Sequence, residues 1–281
     1  MKKRTYTSTS LVILLFLFIG LLQSCRPDPQ QDIVVGQSKD EFDESDQVII
    51  GNAISTMIND SSNGFNVLAE EDYQEVYRHL NTLIDQISNT TTVQRRGQFD
   101  WKISILENDD ELNAFITPGG HLYIYTGLLK FMEGEHELIG LIAHEIAYAD
   151  SNNVINQLKL EFGNKNLSKV ISNDLESDVI VLEIAYALGD MVFDEKEIRA
   201  ADQFSMDIVC DFEWDGGGLL SLLTRGGGDQ QSNIKWLQAR PVTDTRIDEL
   251  TNFIYNRVEA CGVIDSTYYQ RYQEMVIDKL P

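Results

Sequence analysis

The segment 138–153, LIGLIAHEIAYADSNN, constrains the fold of this chain more than any other feature. It is an apolar helical stretch that begins like the zinc-protease signature H-E-x-x-H, with His144 and Glu145 in place and Tyr148 at the position of the second histidine. In that signature residues i and i+4 share one helix face, so two imidazoles can bind one zinc ion while the glutamate polarises a zinc-bound water. Taken alone, a core histidine beside a surface glutamate is the better interpretation of such a pair.

The first 24 residues predict a secretory signal peptide. A basic start, KKR at 2–4, precedes an apolar run at 11–22, which is shorter than the roughly 20 residues of a membrane-spanning helix. The closing Leu-Gln-Ser-Cys resembles a bacterial lipobox, which predicts that Cys25 is lipidated and anchors the mature protein to a membrane of the cell envelope, on its periplasmic or exterior side. An ordinary signal peptide followed by a chance cysteine is the alternative.

The charge of the chain restricts its partners. The leader carries three of the 22 Lys and Arg and none of the 45 Asp and Glu, which leaves 19 against 45, a net charge of −26, on residues 25–281. So negative a protein is a poor match for nucleic acid or anionic lipid surfaces. We therefore expect no nucleic acid partner, and a solubilising surface is a sufficient explanation of the charge.

Two cysteines remain after the leader, Cys210 and Cys261. In an oxidising envelope compartment they form either a disulfide or two buried free thiols. Neither belongs to a C-x-x-C or Cys/His pattern, so the cysteines do not predict a metal site.

The mature chain divides into a flexible acidic tether, residues 25–46, and a single domain, residues 47–281. The tether is polar and acidic, a composition that disfavours a packed core. In the domain, apolar residues at helical spacing predict helices at 47–59 and 71–88.

The sequence pattern changes after the second helix. FDWKISIL at 99–106 and HLYIYTG at 121–127 alternate apolar and polar residues, which predicts two strands. From residue 128 the spacing is helical almost to the end. The sequence therefore predicts an α+β architecture, mostly helical with a small sheet.

The residues around the His-Glu pair identify a family. NAFITPGGHLYIYTGLLKF at 113–131, followed by ELIGLIAHEIAYADSNNVINQL at 137–158, closely resembles metallopeptidase family 48, which includes HtpX, the CAAX prenyl protease and BepA-like envelope proteases. The resemblance implies a zincin-like (gluzincin) metallopeptidase fold. It also implies a substrate-binding edge strand formed by Asn113, Ala114, Phe115, Pro118 and Gly119.

Two later blocks continue the resemblance, which spans about residues 70–260. FDEKEIRAADQFSMDIVCDFEWDG at 193–216 resembles the helix from which family members supply a third zinc ligand, a Glu, in the pattern E-x-x-A-D. The resemblance places Ile198 at the ligand position and Asp202 at the position of an aspartate that supports the zinc ligands in family members. ARPVTDTRI at 239–247 resembles His-Pro-x-Thr-x-x-Arg-Ile, with Arg240 in place of the His and Arg246 retained.

The resemblance implies three zinc-ligand positions, His144, Tyr148 and Ile198, of which the last two are substituted. A protein ligand contributes roughly 3 kcal/mol to zinc binding, so the loss of two costs roughly 6 kcal/mol, or about four orders of magnitude in affinity. Tyr148 and Ile198 are large and largely apolar, and can fill the space that a zinc and its water would take. We therefore expect no metal cofactor.

An active zinc endopeptidase with an altered ligand set is the alternative. A tyrosine, with an ordinary pKa near 10, is a poor ligand, and a glutamate one position from the ligand site points about 100° away around the helix. In this alternative the general base is Glu145, the retained ligand His144, the improvised ligand Glu197 or Tyr148, and the electrophilic stabiliser Arg246 or Arg240.

The sequence thus predicts a pseudoprotease in the cell envelope. Its expected partners are extended or misfolded envelope polypeptides, bound along the edge strand near 113–125, and the membrane, through Cys25. A scaffold in envelope quality control is the related possibility. We expect His144 and Glu145 to form a hydrogen-bonded pair and Asp202 to be structural.

Overall fold

The computed structural model describes residue 39 and residues 41–211, 214–227, 233–257 and 267–281. They fall in one unit, Ser38–Pro281, whose helices surround a small sheet, so the predicted α+β fold class is confirmed. The described helices include none that is long and apolar enough to cross a membrane. The predicted signal peptide and Cys25 lie outside the described residues.

Two helices precede the sheet, as the apolar spacing predicts. Helix α1 spans Glu44–Asn59 and helix α2 spans Gln74–Ser88. Asp43 and Asp46 cap the start of α1, because each side chain accepts a hydrogen bond from the backbone N–H of the other, at 3.0 and 3.1 Å. The folded domain therefore begins before the predicted boundary at 47, inside the segment assigned to the tether.

The sheet has three strands, β1 (Lys102–Leu106), β2 (Ala114–Ile116) and β3 (His121–Tyr125). Strand β3 lies in the centre, parallel to β1 and antiparallel to β2. Both strands predicted from alternation are confirmed with shorter bounds. Strand β2 is an edge strand, as the family resemblance implies.

The other regular elements of the described chain are helices and two short 3-10 segments, Ser61–Asn63 and Ile277–Lys279. They are α3 (Thr126–Phe131), α4 (Glu135–Asp150), α5 (Asn153–Ser172), α6 (Ser177–Leu188), α7 (Glu195–Asp211), α8 (Gly217–Gly226), α9 (Lys235–Ala239), α10 (Asp244–Asn256) and α11 (Thr267–Met275). Helix α5 bends at Gly163, whose φ of 78° and ψ of 151° are not helical.

Helix α4 forms the centre of the domain. Each of its residues is buried, and it packs against α2, α7, α8 and β2. A Cβ atom at Gly218 would lie 2.0 Å from the carbonyl oxygen of His136, so only glycine allows α8 to approach α4 this closely. The apolar segment that carries His144 is thus surrounded by protein on all sides.

Cys210 lies near the end of α7, where it is buried and disulfide-bonded. Cys261, the partner that the sequence offers, lies outside the described residues. Of the two alternatives from sequence, the structure thus supports a disulfide over free thiols.

Candidate active site

Helix α4 carries the three residues that the signature picks out. His144, Glu145 and Tyr148 are all fully buried. The rings of His144 and Tyr148, one helical turn apart, meet edge to face with their centroids 5.0 Å apart. The helix thus places the two side chains on one face, as the i, i+4 spacing predicts.

Helix α7 packs across α4 and brings Ile198 and Asp202 to the same region of the core. The Asp202 carboxylate accepts hydrogen bonds from Arg246 Nε at 2.6 Å and Arg246 Nη2 at 2.8 Å. His144 Nε2 lies 3.1 Å from Asp202 Oδ1. Asp202 therefore joins α4, α7 and α10 through a buried polar cluster.

Both carboxylate oxygens of Glu145 are held by side chains from the segment 233–240. Trp236 Nε1 donates to Oε1 at 2.8 Å, and Arg240 Nη2 donates to Oε2 at 3.0 Å. Trp236 is fully buried and Arg240 is 4% exposed. The carboxylate of Glu145 is therefore ion-paired, hydrogen-bonded and shielded from water.

The guanidinium of Arg240 sits in a box of aromatic rings. Its central carbon lies 5.1 Å from the ring centroid of Tyr148, 5.3 Å from Phe193 and 5.4 Å from Trp236. Tyr148 and Phe193 stack with centroids 4.1 Å apart. Cation–π attraction and the ion pair with Glu145 together stabilise a buried positive charge at this point.

The predicted substrate edge strand is covered. Ala114 and Phe115 are 1% and 3% exposed, and the ring of Phe115 stacks on Tyr123. Asn113 donates from Nδ2 to the carbonyl of Gly189 at 2.9 Å, and the Trp236 N–H donates to the carbonyl of Leu112 at 3.2 Å. The segments around Gly189 and Trp236 thus close over the start of β2. Pro118 and Gly119, in the turn that follows β2, are also buried.

The buried cluster lies in a part of the chain that matches a known protein family. The model of peptidase family M48 matches residues 74–254, well over half of the chain. The chain belongs to peptidase family M48. The matched region includes the sheet, α4, α7 and the segment 233–240, so the whole of the buried cluster lies within the M48 part of the chain.

Several M48 metalloendopeptidases share short stretches with this chain. It is 38% identical over 53 residues to the mitochondrial metalloendopeptidase OMA1 of Bos taurus. It is 31% identical over 72 residues to the beta-barrel assembly-enhancing protease of Yersinia pestis. These stretches make up 19% and 25% of this chain but only 10% and 14% of the relatives. The chain therefore matches a small part of each relative's length.

The residues of this M48 chain do not fit the zinc ion on which the family depends. A catalytic zinc site uses three protein ligands and an open fourth position. The described residues contain no group of three or more His, Cys, Asp or Glu side chains placed to hold a metal. Two buried polar atoms near Glu145, His144 Nδ1 and Tyr148 Oη, have no hydrogen-bond partner in the described part of the chain. One imidazole nitrogen and one neutral phenol are too few, and the Arg240 guanidinium beside them repels a dication.

Two carboxylates near the ligand positions, the improvised ligand Glu197 and Asp150 on α4, have other structural roles. Glu197 Oε2 accepts from the N–H of Asp194 at 3.2 Å, and Asp194 Oδ1 accepts from the N–H of Glu197 at 2.8 Å. This reciprocal pair is a capping box at the start of α7. Asp150, further along α4, accepts from the N–H groups of Gln94 and Arg95. Neither carboxylate points to the cluster around His144.

Two expectations about this cluster need correction. His144 and Glu145 do not form a hydrogen-bonded pair, because His144 Nδ1 lies 3.7 Å from Glu145 Oε1. Arg246 is not placed to act as an electrophile, because it binds Asp202 and donates from Nη1 to the carbonyl of Arg240 at 2.8 Å. The expectation that Asp202 has a structural role agrees with these contacts.

The electrostatics of the cluster keep its carboxylates ionised. Burial alone would raise the pKa of Glu145, but the charge of Arg240 and the neighbouring hydrogen-bond donors outweigh it and lower the pKa. Burial likewise opposes ionisation of Asp202, yet the hydrogen bonds from its neighbours and the charge of Arg246 leave its pKa lowered. Burial raises the pKa of Tyr148, so its phenol is neutral near pH 7.

The sequence did not predict that Trp236 and Phe193 belong to the site. Both complete the aromatic box, and Trp236 also binds Glu145 directly. The spacing of Trp236 and Arg240, four residues apart in KWLQAR, is the pattern that could have revealed the pair. Phe193 precedes α7 and shows no such pattern.

Proposed function

We propose that this M48 protein is a pseudoprotease, anchored by lipid at Cys25 in the bacterial cell envelope. Its role is to bind extended or misfolded envelope polypeptides, or to act as a scaffold in envelope quality control. It retains the metallopeptidase fold and uses the former site as part of its core.

The state of Glu145 carries this proposal. A general base must reach the water that it deprotonates and must release its other partners to do so. Glu145 is fully buried, and both of its oxygens are bound, one by Trp236 and one by Arg240. A carboxylate held in this way stabilises the core and is not available for proton transfer.

The proposed location rests on the leader and on a relative. Residues 1–24 have the features of a signal peptide, and Cys25 follows directly. The relative from Yersinia pestis is named a beta-barrel assembly-enhancing protease, a name that fits work in the envelope. Partners of the same kind are proposed for this chain.

The test is zinc content and proteolysis of the purified full chain, beside the revertant Tyr148→His/Ile198→Glu. We expect no stoichiometric zinc and no chelator-sensitive casein cleavage in the parent. Zinc gained by the revertant would show that substitution at the ligand positions removed the metal.

The alternative is an active zinc endopeptidase with an altered ligand set. Stoichiometric zinc with casein cleavage that stops on chelation, measured in the unmodified chain, would establish the alternative and overturn the pseudoprotease proposal. The variant Glu145→Gln is the control, because any cleavage by a contaminating protease persists in it.

A further inference from the structure

The outer edge of β1 is only half covered. The Lys102 N–H donates to the carbonyl of Gly120 across the sheet, so the alternate residues Ile103 and Ile105 turn their backbone groups away from β3. At Ile105 both groups are paired: the N–H donates to Tyr77 Oη at 3.0 Å, and the carbonyl accepts from the N–H of Leu68 at 2.9 Å. The chain beside Leu68 thus covers the second half of the strand.

The first half of the β1 edge is open only in that no described strand pairs with it, and Ile103 itself is 3% exposed. Ile103 has the same orientation as Ile105, but within the described residues its outward N–H and C=O have no hydrogen-bond partner. The neighbouring segment pairs with β1 only at its far end, through the antiparallel bridge between Val67 and Leu106. An unpaired strand edge of this kind is a template for another strand.

A groove runs along this open edge. Its cavity has a volume of about 580 Å³ and is bounded by β1, the segment 67–71 and helix α2. Trp101 and Ile103 both line it. Trp101 is 8% exposed, and its indole N–H is buried and has no acceptor among the described residues. The groove therefore offers the unpaired backbone groups of Ile103 beside apolar side chains.

The groove is negatively charged. Glu70, Glu71 and Asp85 line it and also line an adjoining cavity of about 610 Å³. All three are exposed, and none forms an ion pair within the described residues. Two basic residues of the described chain lie nearby. Lys102 is paired with Asp100, so of these two residues Arg78 alone balances part of the negative charge of the three carboxylates.

We propose that this groove binds an extended segment of another polypeptide that carries Lys or Arg, and that the segment adds as a strand to β1 at Ile103. Strand addition supplies the missing backbone partners, and the acidic rim selects positive charge. The chain's own segment 25–38 has one Arg against two Asp and so lacks the positive charge that the rim selects. The site lies on the opposite edge of the sheet from β2 and does not depend on whether the protein binds zinc.

The experiment uses the full chain, purified in detergent, and fluorescein-labelled octapeptides of alternating residues. We expect the lysine–valine peptide to bind and the glutamate–valine peptide not to bind. Two versions of the lysine–valine peptide carry N-methyl groups on opposite sets of alternate residues. The version whose methyl groups face β1 should not bind, and the version whose methyl groups point away from β1 should bind as the unmethylated peptide does. On binding, hydrogen exchange of the Ile103 amide should slow.

A charge variant and a matched control complete the test. Glu70→Gln/Glu71→Gln/Asp85→Asn should weaken binding of the lysine–valine peptide about tenfold at low salt. Glu161→Gln/Asp178→Asn/Glu183→Gln makes the same charge change at exposed positions outside the groove and should leave the affinity unchanged.

Each of the following results would overturn the proposal: equal binding of the lysine and glutamate peptides, equal loss of affinity in both triple variants, or binding that leaves exchange at Ile103 unchanged. Tighter binding after deletion of residues 26–38 would show that the chain's own segment occupies the groove, and would also overturn it. None of these outcomes bears on zinc content, so the pseudoprotease proposal is tested separately.

Discussion

Arg240 shows how a single residue can determine the electrostatics of a buried cluster. A buried carboxylate such as Glu145 needs a positive neighbour, because an isolated charge in the core is very costly. In this protein the guanidinium of Arg240 supplies that charge, and three aromatic rings surround it. Replacing one residue of such a buried ion pair is expected to lower the free energy of unfolding far more than replacing both residues.

Replacement of the cation gives the first prediction. Arg240→Met should lower the free energy of unfolding by about 3–5 kcal/mol, because it leaves Glu145 buried without a counter-charge. Urea unfolding measures the change. The double variant Glu145→Gln/Arg240→Met should recover a large part of the loss, since no charge then remains unpaired. Equal stability of the single and double variants would contradict the coupling.

The pH dependence of stability follows from the same cluster. The pKa values of Glu145 and Asp202 are lowered from their ordinary 4.5 and 3.8. A lowered pKa in the folded state stabilises the fold above the ordinary value, and this stability is lost as the pH falls through the folded pKa. Urea unfolding at a series of pH values should show stability falling below about pH 4.5. Glu145→Gln/Arg240→Met should show a shallower fall, and an identical profile would contradict the assignment.

Four elements form the site: helix α4, helix α7, the segment 233–240, and helix α10, which supplies Arg246. Helix α4 supplies His144, Glu145 and Tyr148, and helix α7 supplies Ile198 and Asp202. The segment 233–240 supplies the indole and the guanidinium that close the site. These elements are distant in sequence but pack together in space, so a change in one alters the packing of the others.

Substitution of Glu197 tests whether this residue caps helix α7 or binds a metal ion. Glu197→Ala should lower the free energy of unfolding by about 1 kcal/mol, because an N-terminal backbone N–H loses its acceptor. Its metal content should equal that of the parent. Asp194→Ala removes the other half of the box and should have a similar effect on stability. A drop in bound zinc in Glu197→Ala alone would restore this residue as a ligand.

Restoration of zinc binding should require the third element as well. The revertant Tyr148→His/Ile198→Glu replaces both lost ligands but keeps the guanidinium beside Glu145. The triple variant that adds Arg240→His removes this competing positive charge and should bind zinc at least about tenfold more tightly than the double variant. Competition with a zinc-selective chelator measures both affinities. Equal affinities would show that Arg240 does not oppose the metal.

At the scale of the whole molecule, the domain has the M48 fold although Tyr148 and Ile198 stand at two positions that the family resemblance assigns to zinc ligands. Apolar residues from nearly all the described helices and strands form one core around α4. Tyr148, Ile198 and Arg240 occupy a small part of that core, so most of the contacts that determine the fold do not involve them.

Anchoring at Cys25 is a prediction about the whole chain. Cys25→Ala should move the protein from the membrane fraction to the soluble fraction and abolish incorporation of labelled fatty acid, because an acyl anchor contributes roughly 0.8 kcal/mol per buried CH₂. Cys210→Ala is the matched control and should remain with the membrane. If Cys25→Ala stays membrane-bound, a different segment holds the protein there.

The sequence by itself determined the family and the fold class, and it located the positions that the family resemblance assigns to zinc ligands. Spacing along a helix fixes which residues share a face, so His144 and Tyr148 could be paired from the chain alone, and the M48 blocks located Ile198 and Asp202. The strand and helix boundaries moved by a few residues, as at Asp43, where a local cap decides the start of the helix.

Only the tertiary structure decided what the altered site has become. The partners of Glu145 come from a segment about ninety residues later, and no local pattern joins them. The aromatic box, the covered strand β2 and the open edge at Ile103 likewise depend on which segments meet in space. The chemistry and spacing of side chains within one helix or strand can be predicted from the sequence. Burial and ion pairing depend on contacts between different elements, so they cannot be predicted from the sequence in this way.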